Sequence, residues 1–171
     1  MNKANTNKSN NKDVSINIRS IQIADDERDT TELFTCGKLH LSSSKGKQKS
    51  GNYTLSYDES GATGFGESKV SLDVTGSDMV VMRRYGEGGR FNASLVIEKG
   101  KKHHCHYGTP HGDFMVGISA NDVRCDLNDK GGDLYLKYTV DVNSTLMSEN
   151  EMHIDFSEIS DFLGFSENEG E

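Results

Sequence analysis

The sequence predicts an all-β domain: an antiparallel up-and-down meander closed into a barrel, with a two-sheet sandwich as the alternative. Three observations lead there. Apolar and polar residues alternate at period two over most of the chain, which is the strand pattern. The segments between alternating runs are short and rich in Gly, Asn and Asp, which favours antiparallel neighbours because a parallel crossover takes a dozen or more residues. About ten strands, each apolar on one face, must hide that face and protect their edges; closure does both.

The strands follow in order. "DVSINIR" sets Val14, Ile16 and Ile18 on one side, and Ile21 and Ile23 take the opposite parity, which predicts a bulge near Arg19–Ser20. "TELFTCGKLHLS" places Leu39 and Leu41 on one face. "NYTLSYDES" alternates Tyr53, Leu55 and Tyr57 against Thr54, Ser56 and Asp58, and "SKVSLDVTG" alternates Val70, Leu72 and Val74 against Ser71, Asp73 and Thr75. "SDMVVMRRYGEGGRFNASLVIE" reads as two strands around a glycine-rich turn. "NDVRCDL" offers Val123, Cys125 and Leu127. "DLYLKYTVDV" offers Leu134, Leu136, Tyr138, Val140 and Val142, and "LMSENEMHIDF" ends with Met152, Ile154 and Phe156. Turn signals stand at Thr75-Gly76, at residues 128–132 and at Asn143-Ser144. A short helical turn is expected only in "FSEISDFLGF".

The stretch "VIEKGKKHHCHYGTPHGDFMVGISA" holds four histidines and a cysteine within nine positions. A three-residue Glu98-Lys99-Gly100 loop pairs Ile97 with Lys101, Leu95 with His103, Ala93 with Cys105 and Phe91 with Tyr107. Cys105 and Tyr107 then face inward, His103 sits inward or at the rim, and His104 and His106 face solvent. "TPHG" fits a type I turn with His111 at its exposed tip. Zinc needs three or four ligands converging at about 2 Å. His104, His106 and His111 are the nearest to such a set, and their scatter reads as exposed or hydrogen-bonded histidines, with no metal.

Length and composition bound the rest. The 171 residues suffice for one core. Residues 1–12, "MNKANTNKSNNK", are too polar to offset the entropy of ordering them, so a disordered leader, one domain over 13–160 and an acidic tail over 161–171 are expected. No apolar run follows the basic start as a secretory signal requires, and none reaches the ~20 residues of a membrane helix. Cys36, Cys105 and Cys125 are odd in number and lack a C-x-x-C pair, which suits a reducing cytoplasm. A net charge of −8 argues against nucleic acid. The basic runs "KGKQK" and "KGKK" read as solvated loops.

Three motifs, "YTLSYDES", "VIEKGKKHHCHYGTPHGDFMVGI" and "GGDLYLKYTVDVN", occur in that order and resemble the bacterial YwiB-like family over about 14–156. The resemblance implies a small cytosolic protein of lipocalin-like (calycin-like) barrel fold, a domain of unknown function, and no particular activity. The Asn-rich leader, the acidic tail, the "SSSKGKQKS" loop and the histidine run depart from the family pattern.

Candidate site residues are polar groups on inward parities. Glu59 continues the face of Tyr53, Leu55 and Tyr57 to a barrel mouth, and Tyr107 and Tyr138 share the inward side. Of Arg83 and Arg84, adjacent and so on opposite faces, one takes the inward parity; Arg83 is the one assigned to meet Glu59 or an anionic ligand. "GFGESK" and "GEGGR" lack phosphate-loop spacing and read as turns. No catalytic motif occurs. Asp133 and Asp141 lie about 27 Å apart along their strand at ~3.4 Å per residue, too far for a carboxylate pair. The expected function is therefore a cytosolic barrel binding a small, partly apolar ligand without cofactor, membrane or nucleic acid. A protein-interaction module using the exterior of a filled barrel is the alternative.

Overall fold

The computed structural model describes residues 11–42, 52–59, 67–128 and 130–159. The bulk of the polar leader, most of the "SSSKGKQKS" loop, the acidic tail and the end of "FSEISDFLGF" lie outside these. Among the described residues there are ten strands: β1 (Asn11–Ala24), β2 (Glu27–Leu41), β3 (Tyr53–Glu59), β4 (Ser68–Thr75), β5 (Met79–Gly86), β6 (Ala93–Glu98), β7 (Lys102–Thr109), β8 (Gly112–Asn128), β9 (Gly131–Val142) and β10 (Thr145–Glu158). Strand β1 starts two residues inside the expected leader. Strand β10 takes Phe156, Ser157 and Glu158 from the segment expected to turn.

Every strand pairs antiparallel with its sequence neighbours, and β1 pairs with both β2 and β10, closing the barrel. Closure removes the sheet edges, which is the physical reason this meander is a barrel and not a sandwich. The alternation sorts as expected: Val14, Ile16 and Ile18, then Tyr53, Leu55 and Tyr57, then Val70, Leu72 and Val74 are all buried. So are Leu134, Leu136, Tyr138, Ile154 and Phe156. Two-residue turns join β7 to β8 through Pro110-His111 and β9 to β10 through Asn143-Ser144, the latter pair at φ of 49° and 66°.

Two local expectations are corrected. No bulge occurs at Arg19–Ser20, since β1 stays in unbroken register with β2 from Asn11↔His40 to Ala24↔Glu27. The β1–β2 ribbon runs on beyond the filled core, so no buried side enforces parity there and Ile23 is 36% exposed. The bulges lie instead at Asn121 in β8 and Met147 in β10. The second correction concerns β6 and β7, where Ala93 pairs with Tyr107 and not with Cys105. Phe91 accordingly has a positive φ of 58° and is exposed. At the turn Gly100 is left-handed as expected, at φ 77°, but Glu98 belongs to β6 and its carbonyl accepts from the Lys101 N–H, so Ile97 does not pair with Lys101. Beyond it, the Val96 N–H donates to Cys105 Sγ at 3.3 Å, so a side chain takes the place of a ladder acceptor. The shift is by two residues, which keeps every side chain on its face.

Gly37 marks a point of close strand approach. A Cβ there would lie 2.2 Å from the Ser56 carbonyl oxygen and 2.7 Å from Ile16 Cδ1. Gly37→Ala is expected to cost on the order of 1–3 kcal/mol, because β2 must move off β3 to admit the methyl group. Urea unfolding measures it; an unchanged midpoint would mean that the strands separate there freely.

Candidate functional site

The interior is filled at one end only. Inward side chains near the β4–β5, β6–β7 and β8–β9 turns, among them Leu55, Leu72, Val80, Ile97, Leu134 and Leu136, are fully buried. At the other end, toward the β1–β2, β7–β8 and β9–β10 turns, the walls enclose a cavity of about 850 Å³. Its apolar lining includes Ile18, Leu33, Met82, Leu95, Ile118 and Val140.

Polar groups sit in this apolar wall. Glu59 is the last residue of β3 and continues the inward parity of Tyr57; its cross-strand partner Ser68 opens β4. Glu59 is 6% exposed. It receives Arg84 Nε on Oε2 and Arg84 Nη2 on Oε1, each at 3.1 Å, and Ser68 Oγ donates to Oε2 at 3.1 Å. A guanidinium fork matched to both carboxylate oxygens is the strong, oriented form of an ion pair. Tyr57, Tyr107 and Tyr138 also line the cavity.

Electrostatics keep these tyrosines neutral. Burial pushes the Tyr138 hydroxyl up to about 12, against a smaller opposing pull from Arg84. Tyr57 is raised by burial and then by Glu59, and Tyr107 is raised by burial against Arg84. Burial costs the Arg84 cation, but the Glu59 carboxylate outweighs it and leaves the guanidinium pKa raised. The site therefore presents neutral hydroxyl donors beside a fixed dipole, and no histidine or cysteine is among its described lining residues.

Tyr57, Glu59, Tyr107 and Tyr138 all line this cavity. Arg83 does not: it faces outward and pairs with Asp73, while Arg84 takes the inward place. Val80, Met82 and Arg84 form the inward row of β5, but Met79 and Val81 are apolar too, so parity alone left the two arginines indistinguishable.

The histidines disperse. His103 Nε2 lies 2.8 Å from Glu98 Oε2, His104 is exposed, His106 is 3.6 Å from Asp113, and His111 caps the β7–β8 turn. Among the described residues, the grouped ligand atoms are those of Asp133, His153 and Asp155, all exposed and within 4.8 Å of one another. Contact with Asp155 raises the Asp133 pKa. This juxtaposition is cross-strand, Asp133 opposite Asp155, and spacing within β9 alone does not reveal it. Cys125 is pushed up to about 11 by burial, and burial also raises Cys105, so both stay thiols at neutral pH. No helix among the described residues is long and apolar enough to cross a membrane.

Comparison with known proteins agrees with this architecture. The profile of a family described as "Domain of unknown function (DUF1934)" matches residues 16–154. No curated protein matches the sequence. The crystal structure of ywiB protein from Bacillus subtilis superposes with a TM-score of 0.70 at 18% identity, covering 88% of this chain and 94% of that one. At that identity the likeness is one of fold.

Proposed function

The chain belongs to the DUF1934 family, a domain of unknown function, and from the interior of its barrel we propose that it binds a small, partly apolar ligand. The observation that carries this reading is the cavity of about 850 Å³ with a buried ion pair and three tyrosines in its wall. Binding pockets are typically concave, mostly apolar, about 300–1,000 Å³ in volume, and carry a few polar groups that orient the ligand. An exterior interaction module would go with a filled interior, so the half-empty barrel favours the ligand. Three free thiols support a cytosolic setting.

Nile red, an uncharged dye whose fluorescence rises in apolar surroundings, tests the reading. One equivalent is expected to bind, and Val140→Trp, which fills the cavity from its wall, is expected to weaken binding at least about tenfold. Absence of any fluorescence rise, or binding indifferent to Val140→Trp, would mean that the barrel holds no ligand site.

A further inference from the structure

We infer that the ligand is an uncharged amphiphile, such as a long-chain alcohol or a hydroxylated apolar molecule, and not a fatty-acid-like anion. This rests on the cavity being the binding site. Charge is what discriminates. Arg84 is the sole cation among the described lining residues, and Glu59 occupies it through both carboxylate oxygens. Ser68 completes the arrangement around Glu59. An incoming carboxylate must either displace Glu59, leaving that charge without its partner in an apolar wall, or share the one guanidinium with a carboxylate already bound to it, so that two buried anions face one cation; both are costly.

The other acidic side chain on an inward parity of the lining is Asp29, at the exposed β1–β2 end; Glu151 stands on the outward row of β10, where its Oε1 accepts from the Tyr135 hydroxyl. Inside the cavity one guanidinium is already neutralised by Glu59, with Asp29 toward the mouth, so a second anion meets repulsion on entry and only a shared cation at depth. What the cavity offers is uncharged hydrogen bonding: the exposed Thr30 and Thr31 line it together with the tyrosine hydroxyls, while Gln22, Thr109 and Asn150 donate to Asn150, Gly112 and Ser148 and keep amide or hydroxyl capacity beyond those bonds. A hydroxyl or ether oxygen accepts from such groups and requires no counter-charge. A cationic head would find the Asp29 carboxylate toward the opening but would have to leave its own hydration for a wall whose deepest carboxylate is already paired.

Competition against bound Nile red at pH 8 with three matched chains, 1-dodecanol, dodecanoate and dodecylammonium, separates these cases. Dodecanol is expected to bind about tenfold or more tighter than either ion. Glu59→Gln, which leaves Arg84 charged and without its carboxylate, is expected to shift the preference toward dodecanoate. A wild-type ratio near one, or tighter binding of either ion, overturns the inference while leaving the barrel a ligand-binding protein. Failure of Nile red and all three chains to bind removes the binding reading itself. If Glu59→Gln does not fold, the wild-type ratio alone decides between the alcohol and the ions.

Discussion

Replacing Arg84 with methionine while Glu59 remains is expected to destabilise the barrel by about 3–5 kcal/mol, the usual cost of leaving one member of a buried ion pair uncompensated. The Arg84 side chain is 15% exposed and that of Glu59 6%, so water screens little of the loss. The double replacement Glu59→Leu/Arg84→Met removes both charges and is expected to recover most of the stability, because two apolar side chains need no partner. Guanidinium unfolding of the wild type, both single variants and the double variant gives the coupling directly. A cost below about 1 kcal/mol for Arg84→Met would mean the pair is solvated, as surface pairs are. An anionic ligand would then meet no desolvated cation already neutralised by a carboxylate, and the preference for an uncharged one would have no physical cause.

Leu136→Ala is expected to cost about 2–5 kcal/mol, whereas Val140→Ala, four residues along the same strand, is expected to cost about 1 kcal/mol. Leu136 is fully buried in the filled half, and truncating it opens a hole among side chains that cannot collapse into it. Val140 already borders empty space, so its methyl groups have fewer partners to lose. Equal costs in thermal or chemical unfolding would show that the barrel interior is uniformly packed and the cavity collapses in solution.

Much of this architecture is legible in the chain because alternation is a local property. Tyr53, Leu55, Tyr57 and Glu59 share a face whatever lies across from them, and the same holds for Leu134, Leu136 and Tyr138. Where both parities carry apolar residues, as in Met79–Met82, the pattern loses its resolving power and the wrong arginine is chosen. Pairing across strands is less legible still. The β6–β7 pairing includes a Val96 N–H bond to Cys105 Sγ that alternation does not reveal, and the contact of Asp133 with Asp155 depends on β9 lying against β10 in one register.

The sequence by itself determined that about ten amphipathic strands hide a common apolar face and, wherever one parity alone is apolar, which side chains point inward, because both follow from period two and short turns. Only the tertiary structure decided that the inside is solid at one end and hollow at the other. Filling is a sum of side-chain volumes contributed by all ten strands at one level of the barrel, and no single strand contains that sum.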